Sequence, residues 1–168
     1  VIIVAVFCWH KFAYQPAVAE AQGQMAVAEQ TFRAGDYELA LNGDGNVLGF
    51  TQIIDNYGSK AGKAVYFYAG VCELQLENYE SAIEMLKKYN GKDAILKARA
   101  IACQGDAYVG LEDYEAALKC FEDAAAVIDN MFAAGYLLKA GLVAEKLGQN
   151  EKALGFYKQI KDQYPQSM

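Results

Sequence analysis

The chain has 168 residues, which is the size of one ordinary domain and long enough to bury a substantial core. Hydrophobic residues make up 54% of it and only two prolines occur, so the composition excludes a disordered chain and a loop-rich all-β fold. The formal charge of −6, without a basic stripe, argues against a nucleic-acid partner, because binding phosphates requires clustered Lys and Arg.

The chain begins with an unbroken apolar run, VIIVAVFCW, followed by His10, Lys11, Phe12 and Tyr14. A bilayer requires about 20 apolar residues, and this run has roughly half that number. Aromatic and basic residues directly after such a run are typical of the point where a spanning helix leaves the membrane. Residues 1–14 are therefore predicted to be the C-terminal part of a truncated transmembrane anchor, an interpretation that the missing initiator Met also favours.

Two other interpretations of this segment remain open. A cleaved signal peptide would use Ala17, Val18 and Ala19 as its small-residue site, although a long aromatic spacer separates that site from the apolar run. The other alternative is an ordinary buried helix. A lipoprotein signal is disfavoured, because Phe7 rather than a small residue precedes Cys8.

A stretch of turn-forming residues, NGDGNVLGF, follows a helical pattern in the first third of the chain. Oxygen-bearing side chains occupy every second position, at Asn42, Asp44 and Asn46. An EF-hand loop that started there would need Gly and Glu where this chain has Val47 and Ile53, and Asp44 is its only carboxylate. The stretch is predicted to bind no metal and to be an insertion at 42–49 that interrupts a helix, since Asn and Gly tolerate the backbone of such a break.

Three segments further along the chain align as an internal repeat of paired helices joined by a tight turn. Their shared positions are a Gly, an Ala and a large residue, at Gly70, Ala82 and Leu86, at Gly105, Ala117 and Phe121, and at Gly141, Ala153 and Tyr157. The small residue on the first helix lets the second helix approach closely, and the large residue fills the remaining gap. Part of a further repeat lies on either side of the insertion, because FTQIIDNYG aligns with FYKQIKDQYP.

These repeats resemble the tetratricopeptide repeat family, from about Lys60 to Pro165. They depart from its pattern where Tyr66, Ile101 and Leu137 replace the usual Trp. The resemblance implies an all-α fold, a right-handed α-solenoid of antiparallel helix hairpins with about four repeats. The tetratricopeptide domain is expected over residues 15–168, with repeats at about 15–58, including the insertion at 42–49, and at 62–92, 97–130 and 133–165.

No catalytic residue, cofactor or metal site is predicted, and the protein is not expected to be an enzyme. The sequence lacks a nucleophile-elbow, a phosphate-loop and a zinc-protease motif, and its single His lies in the N-terminal segment. The four cysteines, Cys8, Cys72, Cys103 and Cys120, are far apart and are interpreted as small apolar residues rather than metal ligands.

In a solenoid of this family the first helix of each repeat lines a concave groove, and the resemblance places a partner-binding site there. The predicted groove residues are Phe67, Tyr68, Val71, Arg99, Asp106, Leu138, Lys139 and Leu142. The Lys and Asn with which some members clamp a partner's C-terminal carboxylate are missing. A mostly apolar groove with one basic and one acidic spot favours a docked helix or extended segment of a partner protein. The N-terminal helix, from Pro16 to Ala34, would alternatively cover part of this face.

The layout is similar to that of bacterial membrane-anchored tetratricopeptide proteins, including the ancillary subunit of the Sec translocon. This similarity implies a non-enzymatic protein-interaction scaffold at the bacterial inner membrane, with its repeats in the periplasm, that serves secretion or periplasmic chaperone networks. The alternatives are a cell-envelope assembly factor and a structural oligomer. In such an oligomer, residues 1–14 of one copy would insert into the groove of a neighbour and form a homodimer by helix exchange.

Overall fold

The computed structural model describes residues 2–167, and all regular structure in this range is helical, which confirms the predicted all-α solenoid. Val1 and Met168, the outer ends of the predicted segment 1–14 and domain 15–168, lie outside the described residues. The helices are α1 (Ile2–Trp9), α2 (Gln15–Arg33), α3 (Tyr37–Asn42), α4 (Phe50–Tyr57), α5 (Ala64–Gln75), α6 (Tyr79–Lys88), α7 (Ala94–Gly110), α8 (Tyr114–Val127), α9 (Met131–Lys146) and α10 (Asn150–Gln163). A π-helical segment (His10–Tyr14) joins α1 to α2, and short 3-10 turns follow α4 (Gly58–Ala61) and α10 (Pro165–Ser167).

From α5 onward the helices pack as three hairpins, α5 with α6, α7 with α8 and α9 with α10, and the same tight turn joins the two helices of each hairpin. After α7, the N–H of Asp113 donates to the carbonyl of Tyr108 and the N–H of Glu112 to that of Val109, at 2.9 and 3.0 Å. These bonds satisfy carbonyl groups that the end of a helix would otherwise leave unpaired. The residue in the middle of the turn has a positive φ in all four equivalent turns, at Gly35, Glu77, Glu112 and Gly148.

Within each hairpin, a glycine of the first helix faces a large side chain of the second. A Cβ on Gly105 would lie 2.6 Å from Cε1 of the Phe121 ring, which is closer than real atoms approach. The same relation joins Gly70 to Leu86 and Gly141 to Tyr157. Phe121 is 1% exposed, so the close helix packing that the repeat spacing predicts is confirmed.

The first unit differs from the others because its second helix is broken. Helix α3 ends at Asn42 and α4 begins at Phe50, and the chain between them forms a loop. The two ends of this loop are so close that a Cβ on Gly49 would collide with the carbonyl oxygen of Leu41 and the amide nitrogen of Gly43. Phe50 is fully buried, so the chain returns to the core directly after the loop.

Helices α1 and α2 and the π-helical segment between them form one continuous helix over Ile2–Arg33, roughly 48 Å long at the usual rise per residue. The π-helical segment accommodates Pro16, which has no N–H and whose ring clashes with the carbonyl four residues earlier. The N–H of Gln15 donates to His10, five residues back. Buried residues begin only at Ala21, so the first part of this helix projects from the solenoid.

Candidate functional site

The exposed side of α5, α7 and α9, here called the groove, carries most of the predicted partner-binding residues. These are the first helices of their hairpins. The Arg99 guanidinium lies over the Phe67 ring, 5.8 Å from its centroid. The Lys139 Nζ lies 2.7 Å from both carboxylate oxygens of Asp106. Side-chain contacts therefore link three successive hairpins along this side of the solenoid.

The ion pair between Asp106 and Lys139 is open to water, since the two side chains are 34% and 44% exposed. The Lys139 Nζ also lies 5.5 Å from the centroid of the Phe121 ring. An ion pair this exposed contributes at most about 1 kcal/mol to stability. Its main consequence is that one negative and one positive charge have defined positions in the groove.

Cys103 lies close to these charges on α7. Burial raises the pKa of its thiol to about 11, the Asp106 carboxylate adds to the rise, and Arg99 and Lys139 oppose it. The thiol is therefore protonated at neutral pH and lacks the thiolate that nucleophilic chemistry requires. Cys103 thus acts here as a small, partly buried apolar group.

Three of the predicted groove residues are covered by neighbouring helices. Phe67 and Val71 are 3% and 7% exposed, because α7 packs over them through Ala100. The Tyr68 ring packs against α2, with its centroid 5.2 Å from that of Phe32. The N-terminal helix therefore covers this part of the face, which was the alternative that the sequence left open.

The exposed apolar residues of the groove lie mainly on the last hairpin. Leu138 and Leu142 are 48% and 55% exposed and lie one turn apart on α9. Val109 on α7 is also exposed, and sequence reasoning missed it. The available signal was its position three residues after Asp106, which puts the two side chains on the same side of the helix.

The loop between α3 and α4 is stabilised by its own carboxylate. Asp44 accepts hydrogen bonds from the N–H groups of Asn46 and Val47, each 2.9 Å long. These backbone bonds lower the pKa of Asp44. Over residues 2–167, no group of three or more His, Cys, Asp or Glu side chains is arranged to hold a metal ion. The observed role of Asp44 is therefore to hold the turn.

The start of the N-terminal helix forms a second exposed apolar surface. Ile3 is 84% exposed and Phe7 is 61% exposed. In the part of the chain that the structure describes, this helix alone is long and apolar enough to cross a membrane, and a signal sequence near the N-terminus has the same properties. The rings of Trp9 and His10 both pack on Tyr14, with centroids 5.7 and 5.4 Å apart, at the predicted membrane boundary.

Stacked helix hairpins with an exposed groove on their first helices form a helical-repeat solenoid that is similar to the tetratricopeptide fold, and such solenoids offer extended binding surfaces. A model of the family described as tetratricopeptide repeat matches residues 104–167, which include the C-terminal part of α7 and all of α8, α9 and α10. A comparison with curated proteins finds no match.

Among solved structures, the chain is similar to several of MamA. The MamA RS-1 ArsTM double mutant has a TM-score of 0.72 at 14% identity, over 97% of this chain and 92% of that chain. MamA 41-end from Desulfovibrio magneticus RS-1 has a TM-score of 0.69 at 14% identity, with the same coverage. A crystal structure of MamA has a TM-score of 0.67 at 22% identity, over 83% of this chain and 75% of that chain. At these identities the likeness shows the fold, and the expected resemblance to the ancillary Sec subunit finds no support in it.

Proposed function

We propose that this protein is a membrane-anchored, non-enzymatic scaffold that holds a segment of a partner protein in its groove. The observation that carries this proposal is the combination, on one surface, of exposed Leu138 and Leu142 with the positioned charges of Asp106 and Lys139. Apolar contacts supply affinity, and charges at defined positions set orientation and specificity. A helix or extended segment with apolar side chains and charges of both signs matches this surface.

Residues 2–14 anchor the scaffold in this proposal. Their apolar side chains are exposed, and the aromatic and basic residues that follow suit the membrane–water boundary. The helix continues without a break into α2, whose Ala21 and Met25 are buried in the core. From Tyr14 to Ala21 the helix rises by roughly 10 Å, so the solenoid would be held close to the bilayer surface.

The groove is tested by placing a photo-crosslinking amino acid at Leu142 in cells that make the protein. A matched probe at Lys119, which is exposed on α8, reports encounters away from the groove. We expect adducts with a partner protein from the Leu142 probe and not from the Lys119 probe. Identical adducts from both positions, or only self-adducts, would contradict the proposal.

The anchor is tested by replacing both Val6 and Phe7 with Asp and separating membranes from the soluble fraction. The unchanged protein should float with membranes, and the double variant should become soluble. Ile95→Asp, at an exposed apolar site on α7, is the control and should remain with membranes. An unchanged protein that is soluble from the start would refute the anchor.

The proposal assigns the scaffold to the bacterial inner membrane, with the solenoid in the periplasm and a role in secretion or chaperone networks. Its support is the layout, in which one apolar helix precedes a repeat domain. Protease added to spheroplasts should digest the solenoid, and protection until lysis would contradict this orientation. Adducts of the Leu142 probe with translocon subunits, periplasmic chaperones or secreted chains would support secretion, whereas envelope-assembly factors would contradict that role.

A further inference from the structure

The first helices of the units, α2, α5, α7 and α9, all begin at the edge of the solenoid from which the N-terminal helix projects. They run in the same direction, because each packs antiparallel to the helix that follows it. The side chain of Gln22 on α2 donates to the carbonyl of Ala61, at 3.3 Å, so the turn before α5 lies beside the part of α2 that follows Tyr14. We call residues 58–63 and 90–97 the proximal edge.

One repeat position at this edge exposes large apolar side chains. In the repeat alignment, this position holds Val18, Lys60, Ile95 and Met131. Ile95 is 49% exposed although other hairpins pack on both sides of α7 and α8, so its exposure follows from its place at the edge. Met131 is 67% exposed at the same position of α9. Val18 lies only four residues, or roughly 6 Å along the helix, beyond Tyr14 at the predicted membrane boundary.

Lysine side chains accompany Ile95 on the proximal edge. Over residues 2–167, no ion pair with a carboxylate involves the lysines of this edge, which are Lys60, Lys63, Lys92 and Lys97. Two carboxylates nearby are instead bound within the chain. Asp93 accepts the N–H of Leu96 at the start of α7, at 2.7 Å, and Glu20 accepts the Tyr57 hydroxyl, at 3.0 Å. The lysine ammonium groups therefore remain available to an external anion.

The opposite edge of the solenoid, where the second helices begin, is acidic. The second helices α3, α6, α8 and α10 each have a glutamate in their first turn, namely Glu38, Glu80, Glu115 and Glu151. The turns before these helices add further carboxylates, at Asp36, Glu77, Glu112 and Asp113. Carboxylates near helix N-termini also stabilise the helices themselves. Their consequence for the whole molecule is that an anionic surface would repel this edge more strongly than the proximal edge.

We propose that the proximal edge lies on the surface of the phospholipid bilayer that holds residues 2–14, with Ile95 and Met131 in the headgroup region and the neighbouring lysines bound to lipid phosphates. This inference rests on the anchor of the proposed function and adds a second contact with lipid. Lysines suit such a contact, because their alkyl stems lie on apolar surface while the ammonium group reaches outward. Asp55 and Asp93 offset part of the lysine charge, so the apolar contact contributes most. The solenoid then lies along the bilayer with its acidic edge turned away.

The test uses the whole chain in vesicles of phosphatidylcholine and phosphatidylglycerol that contain lipids with a nitroxide quencher near the headgroup. A fluorescent amino acid replaces Ile95, and a matched probe replaces Leu111, which is 37% exposed on the opposite edge of the same hairpin. Quenching should be several-fold stronger at residue 95. Lys60→Glu combined with Lys92→Glu should lower it by about half or more. The matched charge reversal away from the proximal edge, at exposed Lys146 and Lys158, should leave it unchanged.

Flotation of the same samples separates a failure of this inference from a failure of the anchor. Protein that floats with the vesicles but is quenched equally at residues 95 and 111 would overturn the edge contact and leave the anchor in place. Protein that does not float would overturn the anchor and the edge contact together. Equal effects of the two charge reversals would overturn the binding of lipid phosphates by the lysines. Circular dichroism should give the same helix content for all variants, since none of the replaced side chains is buried.

Discussion

The ring of Phe121 occupies the space that a Cβ on Gly105 would need. Gly105→Ala should therefore push α7 and α8 apart or force the ring from its rotamer, with a loss of about 1–3 kcal/mol in the free energy of unfolding. Gly155→Ala on α10 is the matched control. Its Cβ would meet nothing within 4 Å, and the helix propensity of Ala should stabilise the chain by up to about 1 kcal/mol. Urea denaturation monitored by circular dichroism measures the free energy of unfolding of both variants. Equal values would contradict the close packing of Phe121 on Gly105.

One buried and one partly buried thiol should make stability depend on pH above neutrality. Burial raises the pKa of Cys72 to about 12 and that of Cys103 to about 11. The unfolded chain loses these protons first, near pH ~8.5, so the stabilisation is complete below that pH and is lost as the pH rises toward the folded values. Between about pH 7.5 and 9.5 the free energy of unfolding should fall by about 1 kcal/mol per thiol.

The decline should be smaller in Cys72→Ala, which removes one of the two thiols. Urea denaturation of both proteins under reducing conditions, at several pH values in this window, measures the slopes. Comparing slopes rather than stabilities removes the packing cost of the substitution itself. Identical slopes for the two proteins would show that Cys72 is not shielded from deprotonation.

At the scale of elements, the turn that joins α7 to α8 contains backbone strain that a single substitution can remove. Glu112 has a φ of 60°, whereas the equivalent positions Gly35 and Gly148 hold glycine. An L-residue in the left-handed region costs roughly 1 kcal/mol, so Glu112→Gly should stabilise the chain by about 0.5–1 kcal/mol. Glu112→Ala retains the strain and should stay close to the original stability. Thermal unfolding measures the difference, and a gain in the Ala variant would point to charge rather than backbone.

The break in the second helix of the first unit requires a close backbone contact between Gly43 and Gly49. Gly49→Ala should collide with the Leu41 carbonyl and the Gly43 backbone, with a loss of about 2–3 kcal/mol. Gly45→Ala is the control, since Gly45 has a φ of 90° but nothing within 4 Å of its Cβ position, and it should lose only about 1 kcal/mol. If both variants lost the same free energy of unfolding, the close backbone contact at Gly49 would not contribute to stability.

Across the whole molecule, stability should follow the number of neighbours that each hairpin has. The hairpins of α5–α6 and α7–α8 have partners on both sides, whereas α9–α10 has one among residues 2–167. Stacked repeats gain much of their stability from these interfaces. Amide hydrogen exchange at low protein concentration should therefore be slowest in α5 to α8 and faster in α10. Slower exchange in α10 than in α7 would contradict this order.

The solenoid could be predicted because its information is local and periodic. Gly70, Gly105 and Gly141, with the large residues that face them, recur at a spacing that only a stacked helix hairpin explains. Asn and Gly at positions 42–49 indicate a helix break in the same way, since they suit the backbone of a turn. Backbone preference and repeat spacing are properties of neighbouring residues, so an isolated sequence contains them.

Exposure was decided only by the tertiary structure. Phe67 and Leu138 occupy the same repeat position and were both predicted to line the groove, but α7 covers Phe67 and no described helix covers Leu138. Ile83 and Leu154 differ for the same reason. The sequence by itself determined the repeating hairpin and its turns. Which surfaces remain open to a partner depends on which helices lie next to them, because burial is a property of neighbours in space rather than of a residue or its periodic position.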